Sequence, residues 1–281
     1  LPYPRTDQAR QRDVKFISAS EPEYVFSPQE CRHSTLYMEK RAVQGEPTVF
    51  SETFEYTSCG EWHNLRAEDV LPYDTTAALY KEYTAEREKH IVFSPRLREL
   101  AAKLTAGETN PYLKAKRIFR WINDHFPWAS AREYSTIENI PEYVLDNRHG
   151  DCGQVSLLFI TLCRISGIPA HFQSGFMMHP RAWNLHDWAE VYFEGVGWVP
   201  VDQSFGIPAF ARNADEEYFF LGGIDSWRMI VNTDYGMPLV PEKKYPRSET
   251  VDFQRGEVEW EGGNLYFPQW SYHMDIDYLN Y

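Results

Sequence analysis

A cysteine at the start of a helix-like apolar pattern is the residue of this sequence best placed to do chemistry. Cys152 stands in the stretch HGDCGQVSLLFITLCRISGIPA, residues 149–170, with glycines at 150 and 153. The N-terminus of a helix stabilises a thiolate through unpaired N–H groups and the positive end of its dipole. The two glycines allow a sharp turn and the close approach of a substrate carbonyl. These features predict a nucleophile that attacks acyl groups.

A buried structural thiol is the simpler interpretation of a cysteine near an apolar helix, and Cys163 fits it because its neighbours are apolar. Cys152 differs because a base and an acid follow downstream. A thiolate requires a base, and the base requires a group that orients it. The stretch NLHDWAEVYFEGVGWVPVDQS, residues 184–204, supplies His186 and Asp202. Together these residues predict a Cys-His-Asp site.

Strand geometry predicts how His186 and Asp202 meet. Two alternating segments flank Phe193, Glu194 and Gly195. A three-residue loop there, with Gly195 in the left-handed conformation, would place His186 opposite Asp202. The two-residue period of a strand then divides the side chains between two faces. The histidine face also takes Trp188, Glu190 and Trp198, and the core face takes Ala189, Val191, Val199 and Val201.

The order of elements along the chain predicts an α+β fold in which helices precede an antiparallel sheet. Ser94 and Asn110, each followed by proline, are typical of helix starts. A third helix is predicted over 152–166, ended by Gly167. Alternating segments after residue 169 predict strands.

The ends of the chain have their own patterns. Residues 1–88 predict a small β-rich N-terminal region, with an extended arm over 1–30 and short strands in STLYMEK and TVFSETFEY. Residues 89–281 are predicted to form the catalytic domain. Within it, alternation around Gly262 and Gly263 predicts a C-terminal β-hairpin that completes or extends the sheet.

Composition limits the partners and the compartment. The 281 residues are 43% hydrophobic, enough for a sizeable core, and the net charge of -13 would repel nucleic acid. No apolar run approaches the ~20 residues that span a bilayer. Four cysteines without a CxxC pair predict no metal site, and Cys31 and Cys59 are either a disulfide or two free thiols. The acidic composition and a first residue other than Met favour a periplasmic or secreted protein.

Three tryptophans are the predicted substrate-binding residues. Trp183 and Trp188 flank His186 in sequence and are expected to form walls of the substrate site. The backbone N–H of Cys152 is the expected first donor to the oxyanion. Trp128 would either present its indole N–H as a second donor or pack.

Four motifs stand in a fixed order: Gly-Asp-Cys at 150–152, Gly-Ile-Pro-Ala at 167–170, His-Asp-Trp at 186–188 and Gly-Trp-Val-Pro-Val-Asp at 197–202. In these motifs the sequence resembles the transglutaminase-like superfamily. The resemblance is specific over 149–205 and extends back to about residue 91. It implies a papain-like α+β core in which Cys152 attacks an amide carbonyl, His186 transfers the proton and Asp202 orients the imidazole.

The resemblance also implies an activity. It points to a bacterial-type cysteine hydrolase, a peptidase or amidase, that acts on protein or peptide amides, with or without a glycan, through a thioester and without metal or cofactor. Animal cross-linking enzymes have Trp directly after the cysteine, whereas Gly153 follows here, which favours hydrolysis. The alternatives are transfer to an amine, removal of N-linked glycans from peptides, and a non-catalytic module that binds peptide or glycan. Oligomeric state is not predicted.

Overall fold

The protein, described by a computed structural model over residues 1–7, 9–130 and 132–279, forms two compact units. The first unit comprises Leu1–Cys59, Ser174–Leu185 and Trp227–Tyr281, and the second comprises Gly60–Gln173 and His186–Ser226. The division at residue 88 stays a prediction about domains.

Helices and strands are mixed, as the sequence predicts for an α+β fold. The helices are α1 (Ala78–Tyr83), α2 (Pro95–Leu104), α3 (Pro111–His125), α4 (Ile140–Asn147), α5 (Cys152–Ile165) and α6 (Ala214–Glu217). The strands are β1 (Gln11–Ala19), β2 (Tyr24–Phe26), β3 (Leu36–Met38), β4 (Glu52–Ser58), β5 (Glu61–Trp62), β6 (Ala170–Met177), β7 (Asn184–Phe193), β8 (Gly197–Val201), β9 (Gly223–Ile224), β10 (Arg228–Asn232), β11 (Val258–Trp260) and β12 (Gly263–Leu265).

The predicted helix starts are confirmed by their capping bonds. The Ser94 side chain accepts from the backbone N–H of Leu97 at the start of α2, and Asn110 accepts from Leu113 at the start of α3, each at 3.2 Å. The prediction missed α4, although Asn139 caps it in the same way. These caps satisfy N–H groups that have no partner inside the helix.

Helix α5 is the centre of the second unit. Every residue of α5 from 153 to 164 is buried, and α2, α3 and α4 all pack against it. Asp151 caps the helix by accepting from the N–H of Gln154 at 3.0 Å, and the Gln154 side chain accepts in return from the N–H of Asp151 at 3.4 Å. This capping box fixes the first turn, which begins with Cys152.

The β7–β8 hairpin of the second unit follows a register two residues away from the predicted one. Phe193 pairs with Gly197 and Ala189 with Val201, so the loop is 194–196. Continued by one residue, this register sets Asp202 level with Trp188 rather than with His186. The loop is centred on Gly195, whose φ of +88° is the conformation that glycine adopts readily. A shift of two residues keeps every side chain on its predicted face.

The first unit contains more strand than the sequence predicts. The nine residues of β1, which lie within the expected extended arm, pair antiparallel with β4. Burial along β1 is intermittent, which explains why its alternation is hard to recognise in the sequence. Strand β2 pairs with β3, and β10 pairs with the last four residues of β6. A hydrophobic cluster fills this unit: Phe176, Met178, Met229 and Val231, with Phe54, Tyr56, Leu185, Met274 and Ile276 packed against it.

The C-terminal hairpin is confirmed, but it does not complete or extend a larger sheet. Strands β11 and β12 pair only with each other in the described residues and form a two-stranded sheet. Side chains, rather than strand pairing, join the hairpin region to its neighbours in the same unit. Glu257 binds Lys243 Nζ at 2.8 Å and accepts from the N–H of Ser248 at 3.0 Å.

Candidate active site

The structure brings His186 and Asp202 together. His186 Nε2 lies 2.7 Å from Asp202 Oδ2, and both side chains are buried. Strand β7 carries the histidine, and the aspartate follows directly after β8. The other aspartate oxygen accepts from Ser204 Oγ at 3.3 Å and from the N–H of Phe205 at 3.2 Å. These bonds fix the carboxylate. Because the carboxylate contacts Nε2, it orients the imidazole and leaves Nδ1 as the ring nitrogen that does not contact Asp202.

Cys152 is the first residue of α5 and is partly exposed. Its Sγ lies 3.4 Å from Oδ2 of Asp187, the residue that follows His186 in β7. The thiol therefore lies beside strand β7, next to the residue that follows His186 in the sequence. Cys163, in the same helix, is fully buried, as the sequence predicts.

Two aromatic rings pack against the imidazole of His186. Trp188 stacks against it, with the ring centroids 5.9 Å apart and the planes at 29°. Phe205 meets it edge-on at 5.3 Å and is 41% exposed. Trp188 is fully buried and donates its indole N–H to Gln173 Oε1 at 2.5 Å. It has no exposed surface, which differs from its predicted place in a substrate wall, and its contacts are those of a support for His186.

A series of buried polar side chains in hydrogen-bonding contact begins at the indole N–H of Trp188. Gln173 donates to Glu190 Oε2 at 3.2 Å, and the same oxygen lies 3.0 Å from His171 Nε2. The His171 ring packs edge-on against Trp198 at 4.4 Å. Because buried polar groups are costly unless they are hydrogen-bonded, this series fixes the side chain on which His186 stacks.

The groups around Cys152 oppose ionisation of its thiol. Burial raises the pKa of Cys152 well above its usual value, and the neighbouring carboxylates of Asp187 and Asp151 raise it further. The helix N-terminus alone would have the opposite effect. The expectation of a thiolate at rest, drawn from the helix start, therefore leaves out the acids that surround Sγ.

The two remaining predicted tryptophans differ in their surroundings. Trp128 is 61% exposed, and its backbone forms a parallel bridge with Gly150. Both line a cavity of about 140 Å³ together with Asn123, Phe126, Pro127, Val155, Gln203 and Ser204. Trp128 is thus available to a ligand rather than packed in the core. Trp183, 37% exposed, belongs to the first unit, and its substrate role stays a prediction.

Comparison with known proteins identifies the core. Residues 98–203 match the family model described as the transglutaminase-like superfamily. This part of the chain is similar to that superfamily. The matched region, called the transglutaminase-like domain below, runs from within α2 to just after β8 and includes Cys152, His186 and Asp202.

Two relatives of the transglutaminase-like domain are bacterial proteins. The uncharacterised protein YebA of Bacillus subtilis is 26% identical over 140 residues, 43% of this chain and 19% of that protein. A protein-glutamine gamma-glutamyltransferase of Pseudomonas aeruginosa is 23% identical over 125 residues, 41% of this chain and 19% of that protein. The matched region thus spans about a fifth of the length of each relative.

A solved structure supports the fold of the transglutaminase-like domain. A candidate cysteine protease from Cytophaga hutchinsonii superposes with a TM-score of 0.56 at 19% identity, over 82% of this chain and 73% of that chain. The likeness confirms the predicted fold class.

Among the described residues, three further features bear on the sequence predictions. All four cysteines are free, so Cys31 and Cys59 form no disulfide. No group of three or more His, Cys, Asp or Glu side chains in the described part of the chain is arranged to hold a metal ion. No helix within those same residues is both long enough and apolar enough to cross a membrane.

Sequence reasoning missed three residues of the site. Phe205 lies beyond the recognised motifs, and Tyr134 lies in a short 3-10 turn, Tyr134–Thr136, with no sequence pattern to indicate its position. The sequence did indicate Asp187, because an alternating strand places residue 187 on the same face as Ala189 and Val191, the face predicted for the core. A carboxylate at a core position calls for a partner.

Proposed function

We propose that the protein is a cysteine-dependent acyl-transfer enzyme that cleaves protein or peptide amide bonds through a thioester, with water as the usual acceptor. The observation that carries the proposal is the buried His186–Asp202 pair at 2.7 Å, next in sequence to the carboxylate that contacts Cys152 Sγ. The assignment of Cys152, His186 and Asp202 as catalytic residues is part of this proposal.

The proposed reaction has two halves. Cys152 Sγ attacks the amide carbonyl while its proton passes to His186 Nδ1; the C–N bond then breaks, and the imidazolium returns that proton to the departing amine. Water, deprotonated by His186, attacks the thioester, releases the acid and restores the thiol. Asp202 keeps the imidazole in the orientation and tautomer that both halves require.

The oxyanion requires donors near Cys152. The backbone N–H of Cys152 lies at the N-terminus of α5, where helix N–H groups have no intrahelical partner. The exposed Trp128, whose backbone is bridged to Gly150, is the proposed second donor through its indole N–H. This proposal replaces the packing role that the sequence also allowed.

Transfer to an amine is the second candidate. The relative from Pseudomonas aeruginosa named as a protein-glutamine gamma-glutamyltransferase supports it, because the same thioester would be intercepted by an amine instead of water. A periplasmic or secreted location stays a prediction from the composition, as does the use of glycosylated peptides.

The test is capture of the acyl-enzyme. The protein is incubated with a mixture of peptides from digested casein, with and without a fluorescent primary amine, then quenched in acid and analysed by mass spectrometry. We expect hydroxylamine-labile adducts on the peptide that carries Cys152, peptide cleavage or deamidation without the amine, and amine incorporation when transfer competes.

Matched variants make the test specific. Cys152→Ala, His186→Ala and Asp202→Asn are expected to abolish or strongly reduce turnover, whereas Cys163→Ala removes a thiol from the same helix and should leave turnover intact, apart from any cost in stability. Peptide binding that is equal in the wild type and in Cys152→Ala, with no adduct and no turnover, would favour a binding module instead.

A further inference from the structure

A buried acidic network surrounds the thiol on the side of α5. Asp187 is 1% exposed, and its Oδ2 lies 3.4 Å from Cys152 Sγ and 3.3 Å from the hydroxyl of Tyr134. The same hydroxyl lies 2.6 Å from Asp151 Oδ1, the oxygen that caps α5. One phenol thus contacts both carboxylates that face the thiol.

Gly153 leaves room for this network. A Cβ at this position would lie 2.7 Å from Asp187 Oδ2 and closer still to the Tyr134 hydroxyl. Residue 153 is inside the first turn of α5, where glycine is otherwise unfavourable. The missing side chain is therefore what allows the phenol and the carboxylate to reach the helix at this point.

The network has no role in the proposed triad. Asp202 already orients His186, and the capping of α5 requires only Asp151. A buried carboxylate in contact with a thiol disfavours loss of the thiol proton, because two negative charges would then be adjacent in a site with little water.

We propose that Asp187 is a positioning residue that keeps Cys152 as a neutral thiol in the resting site, by accepting a hydrogen bond from its S–H. The inference rests on the proposed function, whose nucleophile it concerns. The proton leaves Sγ for His186 Nδ1 only as the bond to the substrate carbonyl forms, so the enzyme uses a general base at the moment of attack rather than a preformed thiolate–imidazolium pair.

The titratable groups around Sγ agree with this assignment. Asp187 contacts it from β7, Asp151 lies beside it at the helix cap, and Tyr134 from the 3-10 turn contacts both carboxylates. Both charged neighbours of the thiol that raise its pKa are acids. The direction of the Cys152 pKa, raised by burial and then by Asp187, supports the assignment.

The test is the rate of iodoacetamide alkylation of Cys152 against pH, followed on the peptide that carries it. In the wild type we expect slow alkylation at neutral pH. Asp187→Asn keeps the shape and removes the charge, and we expect the apparent pKa of Cys152 to fall by at least one unit. Alkylation at pH 7 then rises roughly tenfold or more, because the thiolate fraction changes tenfold per unit.

Two controls separate the charge of Asp187 from loosened packing. Tyr134→Phe keeps the carboxylate and removes the phenol, so alkylation should stay as slow as in the wild type or become slower. Glu99→Gln changes the net charge equally at an exposed position of α2 and should change nothing. Equal acceleration in Asp187→Asn and Tyr134→Phe, or no acceleration in Asp187→Asn, overturns the inference.

A measurement on the wild-type chain keeps the inference testable if Asp187→Asn fails to fold. Thiolate absorbance near 240 nm, as the difference between the wild type and Cys152→Ser, is expected to be absent at pH 7; its presence there overturns the inference. Acyl-enzyme capture reports on the triad independently. If the protein turns over substrate but Asp187→Asn does not accelerate alkylation, this inference alone is overturned. If Asp187→Asn accelerates alkylation but no turnover is found, the proposed function is overturned, and Asp187 still keeps Cys152 in the thiol form.

Discussion

At the scale of single residues, the candidate site depends on buried side chains that support His186 from behind. Trp188 has no exposed surface, yet it forms one wall of the imidazole site, and Gln173 is the partner of its indole N–H. The sequence places Trp188 on the same strand face as His186, two residues away, and predicts a wall of the substrate site. It does not predict that the ring is fully buried, because that depends on Gln173 and its contact with Glu190 on the neighbouring strand.

Replacing Gln173 tests this support. Gln173→Met keeps the volume but leaves the buried indole N–H of Trp188 without an acceptor. We expect a loss of about 1–3 kcal/mol in the free energy of unfolding, because an unsatisfied buried donor costs that much. Urea denaturation measures it. The same Gln173→Met change in a Trp188→Phe background, where no indole N–H needs an acceptor, is the comparison, and a Met variant as stable as the wild type would contradict the assigned role.

At the scale of elements, the surroundings of Cys152 depend on how one helix begins. Asp151 caps α5 and also accepts from Tyr134, whereas Ser94 caps α2 far from the thiol in sequence. Both caps were predictable or nearly so, since Ser94 precedes a proline and Asp151 precedes the apolar pattern. The contact with Tyr134 was not, because Tyr134 and Asp151 are 17 positions apart and the segment between them includes α4 and irregular chain whose path only the fold determines.

The two caps give a matched pair of substitutions. Asp151→Ala and Ser94→Ala should each lower the free energy of unfolding by about 1 kcal/mol through loss of a cap. Only Asp151→Ala is expected to change the alkylation rate of Cys152, because it also removes a carboxylate that faces Sγ. Thermal unfolding and alkylation measured side by side provide the check. A change in reactivity of similar size in Ser94→Ala would mean that helix stability alone controls the thiol.

At the scale of the whole molecule, the sequence predicted the fold class and the transglutaminase-like core better than the course of the chain. The four motifs lie in one continuous stretch, so their order was visible without a structure. The first unit is assembled from three separate segments, including strand β10 on the end of β6. Pairings between segments that are distant in sequence leave no local pattern, which is why 1–30 was expected to be only an extended arm.

Stability of the fold should depend on pH through His90. This histidine is 2% exposed, and its Nδ1 accepts from the N–H of Ile140 at 3.3 Å. Burial, and then the charge of Lys89, lowers the pKa of His90 from 6.5 to about 4. Between these two pKa values the unfolded chain binds a proton at His90 that the folded chain does not bind. The contribution of His90 to the free energy of unfolding is therefore fully present above about pH 6.5 and is lost as the pH falls towards 4.

The magnitude and the control follow from this linkage. Well below pH 4, the difference between the two pKa values of His90 lowers the free energy of unfolding by about 3 kcal/mol. His90→Asn keeps a hydrogen-bond acceptor but does not titrate. Between about pH 6.5 and pH 4, the denaturation midpoint should therefore fall more steeply with decreasing pH in the wild type than in His90→Asn. Parallel profiles would show that the acid sensitivity of the fold has another source.

The complete burial of α5 behind Cys152 also limits how this protein can diverge during evolution. A helix packed on all sides tolerates few substitutions, so Cys152 and the backbone that carries it are expected to persist among relatives. Under the proposed function, variation that alters substrate preference is expected at exposed side chains such as Trp128 and Phe205, which can be exchanged without disturbing the interior. Related proteins would then share the residues around Cys152 and differ in the substrates that they accept.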